Sequence, residues 1–153
     1  MKILGFRSDP TSPRYAIVDG SAVPFQLLNS DTESRLRFPA DCNAEDAQVT
    51  WLYREIERIF HTHPDIAKVV IKKNEFTRGD SSAKRRASYQ EAALLLYCGL
   101  YNKDVIAKLY ASLGTNSGSV KNDAVARVGQ TARYWDKKMA DAVVAAWWGV
   151  MNP

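Results

Sequence analysis

The sequence lacks the features that mark several large classes of protein. Its only two cysteines, Cys42 and Cys98, cannot make a disulfide framework, so a reducing cytoplasm is the expected setting. The longest apolar stretch, Met139 to Met151, is too short for a membrane span and is interrupted by Asp141. Met1 leads straight into Lys2-Ile3-Leu4-Gly5-Phe6, without the length or cleavage pattern of a signal peptide. No membrane partner is expected. Glycine numbers only eight, and no Gly-rich phosphate loop or dinucleotide fingerprint follows the first strand, which argues against a nucleotide-cofactor enzyme. Internal repeats and low-complexity tracts are absent.

What remains is an ordinary globular composition. With 46% apolar and 25% charged residues, the 153-residue chain can bury one core, so a single domain over 1–153 is expected. The formal charge of +4 is compatible with an anionic partner without identifying one. The basic residues cluster: Lys72 with Lys73, then Arg78, Lys84, Arg85 and Arg86, then Lys137 with Lys138. Each cluster alone reads as a solvated face. Together they define an anion-binding surface only if the fold brings them together.

Periodicity predicts the elements. Lys2 to Arg7 reads as a buried strand, and Arg14 to Val18 and Ala22 to Leu28 as two more. Asp19-Gly20 between them predicts a tight type I′ hairpin. Pro24 cannot donate a ladder bond, so the third strand belongs at a sheet edge. Apolar residues at Val49, Leu52, Ile56, Ile59 and Phe60 predict a helix over Ala44–His63, with Asn43 as cap. Ile66 to Lys72 is a β-branched strand. A helix over Ala83–Gly99, capped by Ser82, is expected to bury Ala92, Leu95 and Leu96. Val105 to Leu109 is a short strand, Gly114 to Gly118 a loop, and Ser119–Val128 and Lys137–Trp148 the last helices. The result is an α/β fold: a mixed five-stranded sheet, made of a three-strand antiparallel meander plus two parallel strands, flanked by helices.

This order, with Lys2-Ile3-Leu4-Gly5-Phe6-Arg7 as opening strand, Val69-Val70-Ile71-Lys72 as fourth strand and Lys138-Met139-Ala140-Asp141-Ala142 opening the last helix, resembles the RuvC-like branch of the ribonuclease H-like superfamily, the Holliday-junction resolvases. In active members of that family, carboxylates from those three elements hold two divalent ions such as Mg²⁺ and cut nucleic acid. Such ions sit roughly 3.5–4 Å apart and require converging oxygen ligands. Here the implied positions are Arg7, Lys72 and Lys138, and only Asp141 matches a ligand. A guanidinium or ammonium donates hydrogen bonds and carries the sign of the metal. The resemblance therefore implies a degenerate nuclease with no metal, no cofactor and no catalytic residue. The rival is an active nuclease with a shifted set, Asp9, Glu75, Asp136 and Asp141, using Mg²⁺. Asp9 and Glu75 are expected beyond their strand ends, where they cannot simply replace strand residues.

Substituting bases for acids converts a cation site into an anion site. The expected binding residues are Arg7, Lys72, Lys73, Arg78, Lys84, Arg85, Arg86, Lys137 and Lys138, and the expected partner is nucleic acid or another anionic ligand. Lys137 and Lys138 open a helix, where cations are disfavoured unless an anion is present. A third reading is a protein-interaction scaffold. His61 and His63 diverge on a helix end and do not predict a metal site. Cys98 should be core, and Cys42 has no base beside it. Adjacent Trp147 and Trp148 point about 100° apart, so one is expected in the core. A homodimer is implied by the resemblance alone.

Overall fold

The first strand, β1 (Lys2–Arg7), is apolar on both faces, and this makes it the axis of the molecule. The computed structural model describes residues 1–153. β1 pairs antiparallel with β2 (Arg14–Asp19) and parallel with β4 (Ile66–Lys72). With β3 (Gln26–Leu27) and β5 (Asp104–Lys108) the sheet order is β3-β2-β1-β4-β5. The expected mixed sheet, with its central first strand, is the observed one.

Alternation along the strands divides the core in two. Leu4, Phe6, Ile17, Val69 and Ile71 face the helices α1 (Glu45–Thr62) and α2 (Ser82–Leu100). Ile3, Ala16, Val18 and Val70 face the opposite layer of α4 (Val120–Arg127) and α5 (Lys137–Met151). Each fully buried Leu or Ile contributes about 1.5–3 kcal/mol. Gly5 determines how closely α5 approaches: a Cβ there would lie 1.9 Å from the Ala142 carbonyl oxygen, and one at Gly149 would lie 2.6 Å from Ile3. Backbone-to-backbone packing therefore fixes the start of α5 against the end of β1. No helix is long and apolar enough to cross a membrane.

Several local expectations are corrected. The β2–β3 connection is not a tight type I′ turn. Gly20 does not adopt positive φ, the Val23–Pro24 peptide is cis, and β3 begins only at Gln26. Asp19 instead accepts from the Ser21 N–H at 2.9 Å. Pro24 precedes the edge strand rather than lying inside it, because pairing starts only after the residue that cannot donate. Ala44, not Asn43, occupies the N-cap of α1; the Asn43 amide donates to the Ala40 carbonyl at 3.3 Å. Ser81, not Ser82, caps α2, accepting from Lys84 N–H.

The buried face of α2 is also rotated from the expected one. It buries Ala87, Gln90, Ala93, Leu94, Tyr97 and Cys98, leaving Ala92, Leu95 and Leu96 exposed. The helix carries two apolar stripes, and the one whose Tyr97 ring stacks on Phe60 at 4.6 Å faces the core. Cys98 is core as expected. Neither tryptophan is fully buried: Arg127 packs 4.2 Å from the Trp147 ring and Lys108 4.7 Å from the Trp148 ring. The cationic groups themselves lie over these rings, and the Arg127 guanidinium also donates to the Leu113 and Gly114 carbonyls at 3.1 and 2.7 Å.

Candidate nucleic-acid interface

Arg7 and Lys72 are register partners on adjacent parallel strands, so both side chains emerge at the same sheet end and on the same face. That face is the one covered by α5, and the close packing at Gly5 brings Asp141 between them. Arg7 Nε donates to Asp141 Oδ2 at 2.8 Å, and its Nη1 donates to Asn74 Oδ1 at 2.6 Å and to the Ser8 carbonyl at 3.4 Å. The short helix α3 (Tyr110–Leu113) supplies Tyr110, whose hydroxyl donates to Asp141 Oδ1 at 2.7 Å. Both oxygens of a carboxylate that is 1% exposed are thereby occupied.

Lys72 is fully buried. Its ammonium lies 3.2 Å from Glu75 and 3.9 Å from the Tyr110 ring centroid. Burial and the neighbouring Arg7 cation hold it below the ordinary lysine range, against the opposing pull of Asp141 and Glu75. Burial raises the Asp141 carboxyl, although Tyr110, Arg7 and Lys72 pull it down. Burial and the bond to Asp141 push the Tyr110 phenol upward.

A second set of pairs closes the same end of the sheet. Lys138, at the start of α5, bonds Asp9, which also accepts from the Thr11 and Ser12 amides at 3.1 and 2.9 Å. Burial would raise the Asp9 carboxyl, but the Lys138, Ser12 and Thr11 bonds outweigh it and hold it well below the usual range. Arg14 donates to Asp136 at 2.7 Å and lies 3.5 Å from Asp9. Asp136 itself caps α5, accepting from Met139 N–H at 2.8 Å. The opening turn of α5 is therefore not an unsatisfied anion site: carboxylates already compensate Lys138 and the helix terminus.

The rival carboxylates Asp9, Glu75, Asp136 and Asp141 thus border one region, each held by a cation of the chain. Asp9 and Glu75 lie beyond their strand ends; Glu75 accepts from Tyr110 N–H at 2.8 Å. No three His, Cys, Asp or Glu side chains group around a point where a metal ion would sit. The residues present do not fit a pair of divalent ions: the only ligand-position carboxylate, Asp141, is bonded by a guanidinium and a phenol.

Above this floor lies a cleft of about 620 Å³. Four of its five charged lining residues are basic, Arg7, Lys72, Lys84 and Lys138 against Glu75. The remaining expected binding residues do not all converge on it. Lys84 lines the cleft, but its ammonium donates to the carbonyls of Thr77, Arg78 and Gly79 at 3.4, 3.0 and 2.8 Å, so it braces the loop. Arg85 pairs with Asp80 at 2.6 Å, and Arg86 faces a crevice with Glu45 and Tyr89 between α1 and α2. Lys137 donates to Ser117 Oγ at 3.3 Å. Lys73 sits 5.4 Å from the ring of Phe76, and Arg78 is exposed; neither takes part in an ion pair.

Sequence reasoning missed Arg14, Asn74, Phe76 and Tyr110. Phe76 is 82% exposed at the mouth of the cleft. A lone aromatic among Asn74, Glu75, Thr77 and Arg78 was a legible signal. Tyr110 carried none, because only folding brings it to Asp141.

The tertiary structure is similar to solved Holliday junction resolvases. Thermus thermophilus RuvC superposes with a TM-score of 0.75 at 14% identity, over 96% of this chain and 92% of that one. The same protein in complex with Holliday junction substrate gives 0.78 at 14% identity, over 99% and 96%. The yeast mitochondrial Holliday junction resolvase Ydc2 gives 0.63 at 11% identity, over 97% and 77%. No protein-family model matches the sequence, and neither does any curated protein. The chain has the ribonuclease H-like fold in its RuvC-like form.

Proposed function

We propose that this protein is a non-catalytic ribonuclease H-like domain that binds nucleic acid, seating a phosphodiester in the cleft over Arg7. The observation that carries the reading is Phe76, an exposed ring at the mouth of the cleft, with Lys73 and Arg78 near it in the chain and outside every ion pair. The Nε and Nη1 atoms of Arg7 are committed to the protein, which leaves Nη2 to donate to a phosphate oxygen. Lys73 and Arg78 flank Phe76 in the chain and supply further positive charge, while the ring offers a face for a base. The ion pairs at the floor reduce the local field below what four basic residues would give alone. The resulting contact is short and relies on stacking as well as charge. The structural neighbour solved on a junction substrate supports nucleic acid as the partner class.

No cleavage is expected, because the groups at the metal positions are cations held by internal carboxylates. A homodimer, if formed, would pair through the exposed α2 face of Leu95, Leu96 and Leu100.

The test is binding of labelled single-stranded, duplex and four-way-branched oligonucleotides by fluorescence anisotropy across a salt series, with a parallel cleavage assay in Mg²⁺ and Mn²⁺. Expected are binding that weakens as salt rises, loss of affinity in Lys73→Ala/Arg78→Ala and in Phe76→Ala, and intact strands throughout. Metal-dependent cleavage abolished by Asp141→Asn would overturn the non-catalytic reading. Absence of binding at low salt would overturn the nucleic-acid reading and favour the scaffold.

A further inference from the structure

Arg35 and Arg14 face each other across a single antiparallel bridge next to the sheet. Directly opposed residues in such a pair project from the same side, roughly 5 Å apart at Cβ. Two guanidinium groups so placed repel, and only one of them is neutralised. Arg14 has Asp136, Asp9 and the Ser12 hydroxyl as partners. The Arg35 side chain has no ion pair and no hydrogen bond, and its Nε is buried without an acceptor, as is that of Arg14. Buried donors left unpaired are rare and unfavourable, and two on adjacent arginines call for an explanation.

Tyr134 supplies the second observation. It holds φ at 59°, a left-handed conformation that a bulky residue seldom adopts. In that conformation its ring lies beneath the Arg35 guanidinium, 3.6 Å from Cζ to ring centroid. Tyr134 is 49% exposed, so the stack sits at the surface. The ring fixes the plane of the guanidinium and leaves the N–H groups of Nη1 and Nη2, unlike the buried Nε, available for oxygen acceptors.

We infer a second phosphate-binding site, outside the cleft, in which Arg35 seated on Tyr134 donates in the plane of its guanidinium to two oxygens of a phosphate group, with Arg14 beside it. Arg14 reaches Asp9, which holds Lys138 on the cleft wall, so the site lies beyond the Lys138 side of the cleft. A strand leaving the cleft in that direction brings its next phosphates there. As a nucleic-acid contact the site rests on the function proposed above. As a receptor for free phosphate it would stand without it.

The experiment measures affinity and salt dependence for a labelled single-stranded oligonucleotide, and the melting shift produced by inorganic phosphate, in wild type and four variants. Arg35→Ala is expected to weaken oligonucleotide binding roughly tenfold at low salt. It should also flatten the log–log salt slope by about 0.7, the value for one phosphate on a single strand. Arg35→Lys keeps the charge, loses the planar fork, and should recover little affinity. Tyr134→Gly relieves the backbone and removes the ring, so it should weaken binding while the melting temperature holds or rises. Unchanged affinity and slope in both Arg35 variants, with binding lost in Lys73→Ala/Arg78→Ala, would overturn this site and leave the cleft reading standing. Failure of wild type to bind any oligonucleotide, with a phosphate-induced melting shift that Arg35→Ala removes, would establish a free-phosphate site and overturn the cleft. Absence of both responses would overturn both readings.

Discussion

Replacing Arg7 by Met tests whether the Arg7–Asp141 pair is the fastening of this end of the molecule. The substitution keeps an apolar stem on β1 and removes the group that bonds Asp141 Oδ2 at 2.8 Å, together with the bond to Asn74 at 2.6 Å. Asp141 is 1% exposed and would retain only Tyr110 as a direct partner. Removing one member of a buried, hydrogen-bonded pair costs about 3–5 kcal/mol, because a charge stays behind without compensation. For a chain of this size that is a fall in melting temperature of roughly 6–20 °C.

The pH dependence of that penalty has a definite sign. Burial already raises the Asp141 carboxyl and Arg7 opposes it, so the variant raises it further. A carboxylate with a folded value above its unfolded one destabilises the native state as pH climbs between the two. The penalty should therefore be full at neutral pH and shrink as acid protonates Asp141. Urea denaturation of wild type, Arg7→Met, Asp141→Leu and the double variant, at neutral pH and near pH 5, measures both effects. The double variant should recover most of the loss, since apolar groups can replace a buried pair. A cost below about 1 kcal/mol for Arg7→Met, with no relief in acid and no coupling to Asp141, would refute the reasoning.

Lys72→Met should be tolerated within about 1 kcal/mol or be stabilising, because Glu75 faces solvent and keeps the Tyr110 amide. The depressed lysine costs stability below its folded value, and the cost fades as pH rises towards the ordinary lysine range. Wild type should therefore gain on the variant in alkaline denaturation series. Gly5→Ala forces a Cβ to 1.9 Å from the Ala142 carbonyl and should prevent α5 from docking, seen as loss of a cooperative melting transition. Lys84→Met should weaken oligonucleotide binding with little change in salt slope, since its ammonium is bonded to three carbonyls. Arg78→Ala should flatten the slope. Leu96→Glu on the exposed α2 face should convert any dimer seen by sedimentation into monomer without lowering its melting temperature.

Strand and helix identities were legible because they depend on local periodicity. Leu4 and Phe6 against Ile3 and Gly5 place β1 between two layers, and Val69-Val70-Ile71 marks its parallel neighbour. The misreadings came where two local choices were nearly equal. α2 carries apolar residues at 92, 95 and 96 as well as at 93, 94 and 97, and a helical wheel cannot choose between them. The ring stack of Tyr97 on Phe60, a contact between residues distant in sequence, makes the choice. The cap of α2 shifted by one residue for a related reason, since Ser81 and Ser82 are chemically equivalent and only backbone geometry separates them.

The sequence by itself determined which charges the sheet end would contain. Arg7 and Lys72 close two strands, Lys138 and Asp141 begin a helix, and strand pairing with helical spacing assembles them. It could not determine whether those bases would be free. That depended on Asp9, Glu75 and Asp136, which lie beyond the ends of regular elements, where no periodic rule says which way a side chain turns. Only the tertiary structure paired them, and so turned an apparent anion site into a nearly neutral floor. It also set Arg35 unpaired on Tyr134, because a bridge between distant segments and one left-handed residue leave no local trace. Ion pairing acts through space over a few ångströms, and chain order carries that information only where regular structure makes the distances predictable.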